Sequence, residues 1–175
     1  MPHSLEEMQS IVREVFKRIS SDGRESVAPS FTENGIYDFP YWPTYIMGSK
    51  YIGITFSDVI PKVLLRLKQW PIAIYPVIDG DTVMVEYASH ATSAVDGSTY
   101  ANRYAAVMKL VDGKIDFWRE YFNPEWFMQA TGSLFAQLGK QYVPAEAHRL
   151  QADDPSNVAR WRSQWVLPEF ENPPI

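Results

Sequence analysis

Glu120 sits in the run IDFWREYFNP, two residues from Trp118 and two from Phe122. On a strand all three side chains point to one face. A carboxyl flanked by two aromatic rings is poorly solvated, and desolvation raises its pKa. It can then give as well as take a proton near neutrality. The alternative for Glu120 is an ion pair with Arg103, or with another arginine, at the sheet surface. The segment VMVEYASHATSAV alternates as a strand does. Val83, Val85, Tyr87, Ser89 and Ala91 share one face; Met84, Glu86, Ala88, His90 and Thr92 share the other. Tyr87 and Ser89 are candidate hydrogen-bond donors to a substrate oxygen. His90 is the only histidine inside a predicted strand and has the chemistry of a proton shuttle. It faces away from Tyr87 and Ser89 unless a bulge intervenes, and is otherwise a surface or interface residue. Tyr104 follows Asn102 at the same parity and is a phenolic donor or a wall residue.

The stretch from Val83 to Pro124 must position these groups. It reads as three strands joined by tight turns at Asp96-Gly97 and Asp112-Gly113, where hairpins need residues tolerant of positive φ. Upstream, Ser4 and Glu7 form a capping-box pattern. Leu5, Met8, Val12, Val15, Phe16 and Ile19 follow helical spacing, which predicts a helix over 5–20. A short helix is expected over 24–29, a short strand at IYDFP, and an aromatic loop at YWPTY that lines a pocket mouth or plugs one end of the fold. Helix is expected again over 48–70, with Ser57-Asp58 capping a second segment and Pro71 stopping it. A strand follows over 72–78, where Pro76 marks an edge position or a bulge. Beyond Pro124 come a short helix and a loosely helical segment. From Val143 the composition turns polar and proline-bearing, so the chain divides into a domain over 1–142 and an extension over 143–175. Trp161, Trp165 and Phe170 in that extension need a surface, on the domain, on a partner subunit or over the pocket mouth. The order of elements is α+β: a strongly curved antiparallel sheet with helices packed on its concave side.

At 175 residues the chain has room for one domain with a sizeable core. Six Trp and ten Tyr suit a pocket for a flat organic molecule as well as a core. The net charge of −5 and the lack of a basic run argue against nucleic acid or an anionic membrane as partner. There is no cysteine, which excludes disulfides and thiolate chemistry. No phosphate loop, nucleophile elbow or metal-ligand spacing occurs, so neither cofactor nor metal is expected. The absence of a leader-like start or a long apolar run predicts a soluble cytoplasmic protein.

The motifs ENGIYDFP and TYANRYAAVMKLVDGKIDFWREYFNP, within that order of elements, resemble the NTF2-like superfamily. The likeness is greatest to its SnoaL-like, ketosteroid-isomerase-like and phenazine-biosynthesis A/B-like branches, and covers about Leu5 to Pro124. The resemblance implies a cone, the cystatin-like α+β barrel, with an apolar pocket, a few polar groups at its depth and a homodimer built sheet to sheet. It makes Glu120 the acid/base residue. It also brings forward Asp38 as a base: the family's base falls nearer Phe39, and a slip of one residue would make Tyr37 the pocket-facing polar group. Trp118 and Phe122, with Phe39, become substrate-contacting walls. The limonene-epoxide-hydrolase-like branch carries an Arg and an Asp where this chain has Tyr87 and Ser89, which argues against epoxide hydrolysis. The implied function is a cofactor-free isomerase, cyclase or dehydratase acting on a small hydrophobic oxygenated metabolite, a polyketide or terpenoid of secondary metabolism for example. The alternative is a ligand-binding protein without turnover.

Overall fold

The computed structural model describes residues 3–42, 44–77 and 80–150. Helix α1 (Leu5–Ile19) starts on the capping box: the Glu7 N–H donates to Ser4 Oγ at 3.2 Å, and the Ser4 N–H donates to the Glu7 carboxylate at 2.7 Å. Its stripe of Met8, Val12, Val15, Phe16 and Ile19 is buried. That face lies on a sheet which, among the described residues, has seven strands. These are β1 (Phe31–Asp38), β2 (Thr44–Met47), β3 (Leu64–Pro76), β4 (Thr82–Ser93), β5 (Thr99–Val111), β6 (Lys114–Phe122) and β7 (His148–Leu150). Their order is β3-β4-β5-β6-β1-β2-β7. The chain is α+β as expected. One pairing, β1 with β6, is parallel rather than antiparallel. The long intervening chain supplies the crossover such a pair needs.

The region between β2 and β4 departs most from the sequence expectation. Helix α2 (Ser49–Ile54) continues through a π-helical turn (Thr55–Val59) into α3 (Ile60–Val63) and stops there, not at Trp70. Ser57 and Asp58 bond to each other at 2.6 Å inside that turn and begin no new helix. Leu64 and Leu67 belong to β3, which runs over 64–76 instead of 72–78 and takes the outer edge of the sheet. An edge strand tolerates Pro71 and Pro76 because its outward N–H groups have no strand to meet. The expected helix over 24–29 is only a 3₁₀ turn at Ala28–Ser30.

A bulge in β3 sets which side chains face inward. Arg66 has φ of +56°, and its N–H donates to the Asp22 carboxylate at 3.0 Å. The register against β4 shifts between Leu65 and Lys68. The extra residue moves the inward positions from a strict alternation to Leu64, Leu67 and Gln69.

Helices α4 (Pro124–Thr131) and α5 (Leu134–Tyr142) close the open end of the cone. Asn123 caps α4 by accepting the N–H groups of Glu125 and Trp126. The first residues of the expected extension join the domain. Val143 and Ala147 pack with Val59, and β7 pairs with β2. Trp161, Trp165 and Phe170 lie outside the described residues. Among the described residues no helix is long and apolar enough to cross a membrane.

At the centre of the core Trp118 is fully buried and meets the rings of Phe16, Phe31, Tyr37, Phe56 and Tyr87. Phe16→Ala removes the ring by which α1 grips this cluster and is expected to cost ~3–5 kcal/mol in urea denaturation. Leu5→Ala, on the same helix but half exposed, should change stability by less than ~0.5 kcal/mol.

Candidate active site

Pairing in register puts the candidate polar groups on three adjacent strands. Val85, Ala106 and Glu120 face one another across β4, β5 and β6; Tyr87, Tyr104 and Phe122 form the next row; Gln69, Ser89 and Asn102 form the row after that. All nine are buried. Tyr37 enters from β1, paired with Trp118.

Glu120 is 4% exposed and, among the described residues, has no cationic partner. Arg103, its alternative partner, is exposed on the outer face of β5. Two phenols hold the carboxyl instead. Tyr37 Oη–H donates to Oε2 at 2.9 Å, and Tyr87 Oη–H donates to Oε1. Burial pushes the Glu120 pKa from 4.5 up to about 8, against the smaller downward pull of the Tyr37 hydrogen bond. Tyr37 is raised well above its ordinary value, first by burial and then by the facing carboxylate.

A second set of polar groups lies one row along. Asn102 Nδ2 donates to the Asn123 carbonyl and to Tyr100 Oη, both at 3.0 Å. Tyr100 Oη and Tyr104 Oη are 2.7 Å apart, and Tyr104 Oη and Ser89 Oγ are 2.9 Å apart. In each of these two pairs either hydroxyl can be the donor, so the Tyr104 proton can turn to Tyr100 or to Ser89. Burial raises the Tyr104 pKa far above the usual phenol range. The Tyr104 ring stacks on that of Tyr87 at 4.5 Å and 3°.

Glu120, Tyr37, Phe39, Tyr104 and Phe122 line one cavity, together with Gln69 and rings from the helices. It is small, ≈ 30 Å³, room for about two waters at ~10–15 Å³ each. Beyond its wall lies an apolar recess of ≈ 270 Å³, reaching Thr44, Met128 and His148. Phe39, Trp42 and Phe135 line both spaces. Phe39 and Trp42 are 4.8 Å apart, and Trp42 stacks on Phe135 at 5.9 Å. These three rings are the partition. With them displaced the two spaces reach the lower end of the ~300–1,000 Å³ typical of small-molecule sites.

Ser89 and Tyr87 lie behind the wall, bonded to Tyr104 and Glu120 respectively. Trp118 was expected as a substrate contact, but it backs the site from within the core and does not line the cavity. Asp38 and His90 are both outside it. Asp38 lies on the opposite face of β1 from Tyr37, and Arg119 Nε donates to its carboxylate at 2.6 Å. The one-residue slip therefore falls in favour of Tyr37. His90 is exposed on the outer face of β4, and no bulge turns it inward. The sequence reading missed Gln69, placed in a helix there, and Tyr100, Phe127 and Phe135. Only Trp42, in the aromatic loop, carried a usable signal.

No family model matches the chain. Two curated relatives do. The YesE protein of Bacillus subtilis is 29% identical over 109 residues, 60% of this chain and 74% of that protein. A PhzA/B-like protein of Pseudomonas aeruginosa is 26% identical over 110 residues, 61% of this chain and 77% of that one. Among solved structures, a Bacillus subtilis protein provisionally described as an isomerase superposes with a TM-score of 0.65 at 26% identity, over 73% of this chain and 94% of its own. A Jannaschia protein provisionally described as a SnoaL-like polyketide cyclase does so with a TM-score of 0.60 at 16% identity, over 76% and 98%.

The raised Glu120 pKa has a consequence for stability. Below pH 4.5 the carboxyl is protonated whether the chain is folded or not, and costs nothing. Between 4.5 and about 8 the unfolded chain ionises while the folded one keeps its proton, so stability falls as pH rises through this window. Urea denaturation at pH 5 and pH 8.5 should show wild type losing a few kcal/mol more than Glu120→Gln over that interval. Equal losses would mean that the carboxyl is not desolvated.

Proposed function

We propose that this chain, which has the NTF2-like fold and is similar to SnoaL-like, ketosteroid-isomerase-like and PhzA/B-like proteins, is a cofactor-free acid/base enzyme. Its reaction is an isomerisation, cyclisation or dehydration of a small, hydrophobic, oxygenated metabolite of the polyketide or terpenoid kind. The observation that carries this reading is a carboxyl with a pKa of about 8, buried without a cation against an aromatic-walled cavity. Near neutrality such a group holds both protonation states within reach, which proton transfer to and from carbon requires. In an isomerisation Glu120 takes the proton from a carbon next to a carbonyl. The Tyr104 hydroxyl, turned from Ser89, donates to the enolate oxygen, and Glu120 returns the proton at the new position. Tyr37 and Tyr87 hold the carboxyl still. Phe39, Trp42 and Phe135 part to admit the substrate and exclude water once they close.

The small cavity and the two phenols already bonded to Glu120 favour a second reading, in which the cone binds a ligand without turnover. Solvent-deuterium incorporation into a panel of enolisable ketones, followed by NMR, separates the two. Glu120→Gln should keep the fold and lower the exchange rate by ~10²–10⁴-fold. Because removal of the proton needs the ionised form, the wild-type rate should rise with pH and level off above about 8. Tyr37→Phe deletes a hydrogen bond that lowers the Glu120 pKa, so its profile should move to higher pH. Undiminished exchange in Glu120→Gln would remove the assignment.

The same reading takes the protein as a homodimer joined through the outer faces of its sheets. Trp70, Tyr75 and Met84 are exposed there, and Tyr75, Met84 and Val107 form one row across β3, β4 and β5. Sedimentation should show a dimer for wild type and a monomer for Met84→Lys; a monomeric wild type would contradict it.

A further inference from the structure

Among the described residues the cavity wall carries a buried polar atom with no protein partner. Gln69 is 9% exposed and its Oε1 has no hydrogen bond among the described residues. The atom belongs to a built position. The Ser20 hydroxyl, just past the end of α1, accepts the Gln69 N–H and donates to the Gln69 carbonyl, both at 2.9 Å. The Arg66 bulge turns the side chain inward, and the carboxamide faces the Tyr104 hydroxyl. A buried acceptor left without a donor is costly. In the free protein water in the cavity can satisfy it. A ligand that displaces that water must bring a donor of its own or leave Oε1 bare.

We propose that Gln69 is the specificity-determining residue of this cavity: its Oε1 accepts a hydrogen bond from a hydroxyl, phenol or N–H of the ligand. Three features of the wall define the class of molecule. Rings of Phe39, Trp42, Phe56, Phe122, Phe127 and Phe135 suit a flat apolar body. Among the described residues no Lys, Arg or His lines the cavity and Glu120 is its one acid; His148, whose pKa burial lowers, lines the adjoining recess. A carboxylate ligand would therefore meet an acceptor at Gln69 and a carboxyl at Glu120, with no cation to offset its charge. The ligand is thus uncharged, flat and apolar, with a hydrogen-bond donor at the end that reaches β3. This inference rests on the cavity being a substrate site, and holds whether or not Glu120 moves a proton.

Binding of three probes of like shape, 2-naphthol, 2-methoxynaphthalene and 2-naphthoate, tests it by titration calorimetry at pH 7. Wild type should bind 2-naphthol about tenfold or more tightly than the methoxy compound, and 2-naphthoate weakest. Gln69→Met keeps the volume and deletes the acceptor; it should bind the two neutral probes alike. Gln69→Asn, which keeps the carboxamide on a shorter stem, should retain part of the preference and guards against a folding defect in the first variant. A preference for 2-naphthol that survives in a folded Gln69→Met protein would place the acceptor elsewhere and overturn the assignment, as would wild type that binds neither neutral probe. The deuterium exchange experiment is separate. If Glu120→Gln retains exchange while the Gln69 preference is found, catalysis by Glu120 fails and the donor requirement stands.

Discussion

A buried carboxyl with no cationic partner among the described residues is the constraint on which the rest of this structure turns. Burying an ionised carboxylate is prohibitively costly, so the group keeps its proton and its pKa climbs to about 8. Two tyrosines make this tolerable. Each gives one hydrogen bond to one carboxyl oxygen, and they come from strands that approach Glu120 from different sides, β1 and β4. A lysine or arginine in their place would have pinned the carboxylate in its charged form and left it useless as an acid. The chain does place such a pair, Arg119 with Asp38, but on the opposite side of the same two strands. The alternation of β1 and β6 thus turns one acid to an arginine and the other to the cavity.

Around that carboxyl some rings fill the core and others separate two spaces. Trp118, Phe16 and Phe31 are fully buried and belong to the scaffold. Phe39, Trp42 and Phe135 stand between a cavity for a water or two and a larger recess outside it, and come from a loop and a late helix. The wall between the two spaces is thus assembled from an early loop and a late helix packed together. The polar row of Asn102, Tyr100, Tyr104 and Ser89 is different in kind. One end of it is anchored by the Asn102 amide, which donates to Tyr100, and the phenol at its centre, Tyr104, lies at the cavity wall with either neighbour able to take its proton.

How far the sequence could be read depends on the range of the interaction involved. The capping box of α1 and the two Asp-Gly turns are local, and their residues are diagnostic. The spacing of Trp118, Glu120 and Phe122 fixes a shared face once β6 is a strand, and the face of Tyr87 and Ser89 follows by the same alternation. Residues 64–70 went the other way. Their apolar spacing is as good for a helix as for a strand, and only the free edge of β4 makes them a strand. Gln69 was hidden for that reason, and for a second one: its inward direction depends on a bulge at Arg66 tied to Asp22, 44 residues away.

What the sequence by itself determined was the class of fold, the hairpin that carries Glu120, and the aromatic company that would dry that carboxyl. These follow from periodicity and turn chemistry, which act over a few residues. What only the tertiary structure decided was which of Tyr37 and Asp38 faces the cavity, that His90 does not, and that Gln69 does. The first depends on the pairing of β1 with the distant β6, the second on β4 running against β5 without a bulge, and the third on the bulge at Arg66; one residue of register reverses the face.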